Sequence, residues 1–322
     1  MVNNANFVVD DQSLDVLNQN INFDFSNNLL YSSFYSQIFA EFDINCKYFS
    51  ETTAATALKN INSPFLSCIG INIQSLNSKF HELLNFLSNF NSKGIFLDIL
   101  LLCETWSSDF TRFHINNYNL YSASRSTNTR GGACIYINSK FISTQINHPS
   151  LFIDSILESC LIKFHIKGGL KGLALSLYRP NTHPTLNYNE QVTSFLEHFL
   201  SLLDFLDTFN CPILLFGDFN LNLFLTNDPD SNPSTLLNYS NIWGFIQVIS
   251  RATRLTDNNS GTLLDLCFIK DLIPNLIFSG VIANDISDHY FTLVALRTEK
   301  CRIKPPPPSS QIDKWWYYSI LF

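Results

Sequence analysis

From Phe65 onward the chain sets short apolar blocks between polar residues, and the blocks have the length of strands. "FLSCIGINI", "FLDILLLCE", "GACIYI", "SCLIKFHI", "GLALSLY", "PILLFGD", "LLDLCFI" and "YFTLVAL" follow one another in that order, bounded by polar and turn-forming residues. Two longer stretches carry a helical period instead. In "SKFHELLNFLSNF", Phe80, Leu83, Leu84, Leu87 and Phe90 share one face behind Ser78 as the candidate N-cap. In "NEQVTSFLEHFLSLLDFLDTF", Val192, Phe195, Leu196, Phe199, Leu200 and Leu203 fall in register. Strand, helix and strand alternate twice, with strand-rich stretches after each. That order predicts an α/β sandwich of roughly 230 residues, its sheets packed face to face with helices outside.

The flanks read differently. Residues 1–64, rich in Asn, Ser and Phe without a sustained period, are expected to be a loosely ordered lead-in to a domain over residues 65–298. Residues 299–322, "EKCRIKPPPPSSQIDKWWYYSILF", are expected to form a Pro-rich linker and a short aromatic tail.

Composition supports a large core, since 46% of the 322 residues are apolar and 14% aromatic. The formal net charge of -7 argues against binding a polyanion by bulk attraction. A nucleic-acid substrate would therefore need metal ions or a local basic lip. The eight cysteines show no C-x-x-C pair, and Cys103, Cys134 and Cys267 sit inside apolar runs, which predicts buried reduced thiols and no zinc site. The start lacks the features of a secretory signal, and the longest apolar windows are broken by Asp98, Asp204 or Asp207. The expectation is an intracellular protein without a membrane span.

Candidate chemistry collects at the ends of the apolar blocks. "GDFN" places Asp218 and Asn220 two apart, on one face if the strand stays extended through Phe219. A carboxylate can bind a metal or take a proton from water, and an amide can orient that water without repelling a phosphate. The same letters also read as a strand entering an ordinary turn. "LLLCETW" ends on Glu104, "GINIQSL" on Asn72, and "SLYRPN" on Tyr178, Arg179 and Asn181, groups suited to phosphate oxygens. "TLLDLCF" plants Asp265 in an apolar strand, where a carboxylate asks for a partner, and "SDHY" supplies His289 beside Asp288. An Asp holding one imidazole nitrogen favours the charged ring and aims the other nitrogen at substrate.

Taken in order, "NIQSL", "ETW", "YRPN", "GDFN", "LLD" and "SDH" resemble the blocks of the endonuclease/exonuclease/phosphatase superfamily. "DILLLCETW", "RGGACIYI" and "SRATRL" followed by "SGTLLDLCF" look most like the endonuclease domain of non-LTR (LINE-type) retrotransposon proteins. The resemblance covers about Phe65 to Leu296 and implies a four-layered α/β sandwich, two packed mixed β-sheets flanked by helices. It implies a Mg2+-dependent endonuclease, with Mn2+ as a substitute, that nicks DNA. Glu104, with Asn72 and Asp288, would serve the metal. Asp218 and Asn220 would activate water, and His289, oriented by Asp265, would stabilise the phosphate with Tyr178. Asn181, Arg179, Arg125 and Arg254 would hold substrate phosphates, with Arg130 and Arg251 as further candidates. DNA access implies the nucleus, although no Lys/Arg cluster reads as an import signal, and no obligate protein partner is implied.

Gln74 departs from the pattern, standing where repair-type members carry Asp. No Y/F-x-D-D polymerase signature occurs, so copying RNA is not expected of this chain. An abasic-site repair nuclease, another phosphoesterase of the same fold, and an inert truncated remnant stay open as alternatives.

Overall fold

Every apolar block named above is a strand in the computed structural model, which describes residues 46–125, 130–165, 171–226, 228, 230–255 and 261–298. In chain order the elements begin with β1 (Cys46–Phe49), α1 (Glu51–Lys59), β2 (Phe65–Asn72), α2 (Leu76–Ser92), β3 (Ile99–Cys103), β4 (Tyr118–Ala123) and β5 (Ala133–Asn138). There follow β6 (Ile142–Ile146), β7 (Phe152–Ile153), β8 (Leu157–His165), β9 (Lys171–Tyr178), α3 (Tyr188–Asp207) and β10 (Ile213–Asp218). The last are α4 (Asn232–Ile242), β11 (Ile246–Gln247), β12 (Arg254–Leu255), β13 (Gly261–Thr262), β14 (Asp265–Lys270), β15 (Leu276–Ile282) and β16 (Phe291–Arg297).

Two mixed sheets result. The first runs β1-β15-β16-β2-β3-β5-β4, and the second β11-β14-β10-β9-β8-β6, with β7 also on β8 and β12-β13 as a separate ribbon. On β2, Ile69 and Ile71 face α1 and α2 together with Leu83, Phe86, Leu87 and Phe90. Leu66 and Cys68, the alternate residues, join the core shared with sheet two, as the two-residue period of a strand requires. On the far side of sheet two, Phe195 and Phe199 of α3 meet the Phe219 ring edge-on at 6.2 and 5.8 Å. The order is helices, sheet, sheet, helices.

Glycine sets two close approaches. A Cβ at Gly70 would lie 2.7 Å from the Phe216 ring of the facing sheet, and one at Gly217 would lie 1.9 Å from the Leu177 carbonyl. Any side chain at Gly217 would therefore push β10 off β9 beside the strand ends that carry the chemistry.

The structure changes several expectations. The sheet reaches back beyond Phe65, because β1 pairs in parallel with β15, Cys46 opposite Ser279. This strand alternates buried Cys46 and Tyr48 with exposed Lys47, too short a pattern to stand out in the sequence. Ser50 then caps α1 through a capping box with Thr53. Ser75, not Ser78, caps α2, accepting from the Ser78 backbone. The segment after "GDFN" holds a helix, α4, which the apolar pattern does not predict. The expectations for residues 1–45 and 299–322 lie outside the described residues. Among the described residues the seven cysteines are free, and no helix is long and apolar enough to cross a membrane.

Candidate active site at the strand ends

The inner faces of both sheets are apolar along their length and polar at one end. Strand pairing places Tyr178 opposite Asp218, and Asp218 opposite Asp265. Glu158 of β8 stands opposite Tyr178, so a row of ionisable or phenolic residues crosses sheet two on one face. In sheet one Asn72 ends β2 opposite Cys103, and Glu104 follows directly.

One amide joins the two sheets. Asn72 Nδ2 donates to Glu104 Oε1 and to Asp218 Oδ2, both at 2.9 Å. Asn72 Oδ1 accepts the Gln74 backbone N–H at 3.3 Å, which fixes the amide orientation. Asn72 is thus a bridge between the two carboxylates, with its oxygen turned to the Gln74 backbone. Trp106 Nε1 donates to Glu104 Oε2 at 3.1 Å, a role the sequence reading did not assign to the "ETW" tryptophan.

Asp218 and Asn220 meet, though not through strand parity. β10 stops at Asp218, and Asn220 has a left-handed backbone, φ 49°. The turn brings Asn220 N to 2.9 Å from Asp218 Oδ1 and Asn220 Nδ2 to 3.2 Å from Asp218 Oδ2. Gln74, Ser75, Glu104 and Trp106 share positive φ, so backbone strain gathers around the site, as in reactive clefts generally.

His289 Nδ1 lies 2.7 Å from Asp265 Oδ2, the partnership the sequence reading expected for these two. Thr253 Oγ1 accepts from the Leu264 and Asp265 backbones at 3.2 and 3.0 Å. Ser287 Oγ donates to the Asn72 carbonyl at 2.8 Å and accepts from the His289 N–H at 3.2 Å. Both hydroxyls position the site; Ser287 stands two residues from His289 in the sequence, whereas Thr253 is brought to Asp265 by the fold. Asp288 is more exposed, ion-paired with Arg254 at 2.6 Å and bonded by Gln74 Nε2.

Burial raises Asp218 to about 7, aided by the Asp265 charge and opposed by His289. Burial alone would lower His289, but the charge and hydrogen bond of Asp265, with Asp218 and Asp288, carry it to about 10. Glu104 is raised by burial against the hydrogen bonds of Asn72 and Trp106, with the Asp288 charge adding to the rise. Tyr178 is pushed well above the usual phenol range by burial and then by Glu104 and Asp218, so it remains a neutral donor. These carboxylates carry negative charge that the surrounding side chains leave only partly compensated. Among the described residues Asp218, Asp265 and His289 each offer a ligand atom within 4.8 Å of the others, a cluster of the kind that could hold a metal ion.

The arginines divide. Arg125 is buried on Glu158, with Nε to Oε1 at 2.6 Å and Nη2 to Oε1 at 2.5 Å. Arg179 is fully buried and Arg251 nearly so, its Nε on the Cys46 carbonyl at 3.0 Å. These three guanidiniums are withdrawn from solvent, which favours a structural reading over the phosphate contact expected from the sequence. Sequence shows an arginine's charge but not its burial. Arg254 is half exposed beside Asp288, Arg130 is exposed over the Trp106 ring at 5.7 Å, and Asn181 is exposed past the end of β9.

Residues 69–289 match the model of the Endonuclease/Exonuclease/phosphatase family. A comparison with curated proteins finds no match. Among solved structures, the endonuclease domain of TRAS1, a telomere-specific non-LTR retrotransposon, is similar over 73% of this chain and 100% of its own, with a TM-score of 0.55 and 14% identity. The catalytic domain of Xenopus laevis APE2 is similar over 78% of this chain and 98% of its own, with a TM-score of 0.54 and 13% identity. A humanized D. rerio TDP2 gives 73% and 99%, with a TM-score of 0.53 and 16% identity. At such identities the likeness is one of fold.

Proposed function

The chain belongs to the endonuclease/exonuclease/phosphatase family, and on that footing we propose that it is a Mg2+-dependent phosphodiester hydrolase of retroelement origin that nicks DNA. The observation that carries the reading is the Asn72 amide, which holds Glu104 and Asp218 together at 2.9 Å from each. One bridge thus unites a carboxylate suited to a cation with a buried carboxylate near neutrality. The retroelement assignment is supported by the "RGGACIYI" and "SRATRL" blocks and by the likeness to the TRAS1 domain.

Mg2+ held by Glu104 and Asp288 would supply Lewis-acid stabilisation of phosphate charge. Asp218, raised to about 7, takes a proton from the attacking water, and Asn220 orients that water. The water oxygen bonds to phosphorus as the bond to the leaving sugar oxygen breaks. His289, charged at neutral pH and fixed by Asp265, donates from Nε2 to a phosphate oxygen on which charge develops. Tyr178 donates from the floor of the cleft. Arg254 and Arg130 form the local basic lip that the acidic chain needs for DNA.

The test is supercoiled plasmid incubated with purified protein and Mg2+. Nicking is expected from the wild type and is lost in Asp218→Ala, Glu104→Ala and His289→Ala. Plasmid left intact by the wild type, or nicked equally by all three variants, rules the reading out. An oligonucleotide with one abasic site, run in parallel, should be cut no faster than the intact duplex.

A further inference from the structure

Arg179 is one of the phosphate contacts expected from the sequence, and the fold withdraws it from solvent. Its side chain is fully buried, and among the described residues no carboxylate pairs with it. A cation withdrawn from water is expensive to keep when no carboxylate touches it, the Asp218 charge favouring it only from beyond contact, and an apolar side chain would fill the same space. What the guanidinium does there is specific. Its Nε donates to the Phe219 carbonyl at 2.6 Å and its Nη2 to the Asn220 carbonyl at 2.9 Å.

The backbone completes the lock. Arg179 N donates to the Asp218 carbonyl at 2.9 Å, and Asn220 Nδ2 returns a bond to the Arg179 carbonyl at 2.8 Å. Asp218, Phe219 and Asn220 are thereby all tied to the residue that follows β9. The turn needs such a tie, because Asn220 holds the left-handed conformation, φ 49°, unfavourable for a residue with a Cβ. Consecutive carbonyls leaving a strand have no ladder partner, and a planar fork meets them from two separate nitrogens in fixed geometry, which the single nitrogen of a lysine ammonium does not reproduce. The Tyr188 ring, half exposed, lies 5.7 Å from the guanidinium, and the buried Phe195 ring lies 5.8 Å from it.

We infer that Arg179 is a positioning residue, clamping the Phe219 and Asn220 carbonyls so that Asp218 and Asn220 keep their reacting geometry, and that it does not touch substrate. The inference rests on the hydrolase reading for its kinetic consequence and on the geometry alone for its structural one. "YRP" and "GDFN" are then two halves of one device.

The experiment uses the full chain carrying Arg179→Lys or Tyr188→Leu. In plasmid nicking with Mg2+, Arg179→Lys should lower kcat by about 10- to 100-fold, the loss that small misplacements produce. KM for DNA and the slope of activity against salt should stay at wild-type values. Hydrogen exchange should quicken over residues 216–222 and remain as in wild type over β2 and β16. A folded Arg179→Lys that cuts at the wild-type kcat overturns the inference. So does a loss confined to KM with a salt slope lower by about one, the mark of a phosphate contact. If Arg179→Lys does not fold, Tyr188→Leu carries the test, with a smaller loss in kcat and the same exchange signature expected and wild-type behaviour overturning it. Should the wild type not cut DNA, the hydrolase reading fails on its own, and unchanged exchange over 216–222 still overturns the clamp.

Discussion

His289 is paired in the core with Asp265, Nδ1 to Oδ2 at 2.7 Å, and Asp265 in turn stands directly opposite Asp218 on the adjoining strand. A cation is therefore held between two carboxylates at the end of sheet two, and its charge should be visible in stability. The folded imidazole is raised to about 10 from an ordinary value near 6.5, so its contribution is fully present below about pH 6.5 and disappears as pH rises through about 10. Denaturant titrations of wild type and His289→Gln should show a gap at pH 6 that narrows by pH 10.5. A gap independent of pH would contradict a charged His289.

The nicking rate should follow the same pair of groups. Asp218 must be ionised to accept a proton, so the rate should rise through an acidic limb at or below about 7, bound Mg2+ drawing the limb down from the value of the free protein. His289 must be protonated, so the rate should fall only near pH 10. Asp265→Asn removes the partner that raises His289. Its alkaline limb should move down by more than one pH unit, read from initial rates at saturating Mg2+.

Trp106 should matter to the cation without binding it. Its Nε1 holds Glu104 Oε2 at 3.1 Å, and losing such an outer partner typically weakens metal affinity about 10- to 100-fold. Trp106→Phe should need correspondingly more Mg2+ for half-maximal nicking and for thermal stabilisation. An unchanged Mg2+ requirement would leave the indole as packing only.

Arg125 tests the opposite assignment. Its partner Glu158 also accepts the Gly132 and Ser155 backbone N–H groups at 2.6 and 3.1 Å, so removing the guanidinium strands a buried carboxylate. Arg125→Ala should lower unfolding free energy by about 3–5 kcal/mol in urea titrations. In whatever fraction stays folded, the salt slope of DNA binding should match wild type.

The parts of this molecule legible in its sequence are those written as pattern. β2, β3, β10 and β14 announce themselves as apolar runs, and the polar residue at each end is where chemistry collects. The partnership of Asp265 with His289 follows from the price of an unpaired carboxylate in a strand. β1 and α4 were not legible, since a four-residue strand offers two alternations and α4 has only a weakly two-faced sequence. The arginines are ambiguous for a deeper reason: Arg125, Arg179, Arg251 and Arg254 look alike as letters, and only long-range packing decides which are sealed in. Asn220 shows a milder version, reaching Asp218 by a left-handed turn where extended parity was the natural reading.

The edge pairing of β1 with β15, Cys46 beside Ser279, bears on how the molecule is made. A ribosome adds about 5–20 residues per second, so the first strand of this sheet waits on the order of ten seconds or more for its neighbour. Glu104 waits for the Asp288–His289 segment in the same way. During that interval the faces of Cys46 and Tyr48 and the carboxylates of the cleft lack their final surroundings, and such distant pairings make for slow folding. On the proposed function, the nascent protein holds no competent centre until β16, the last strand among the described residues, has been released to close sheet one between β15 and β2.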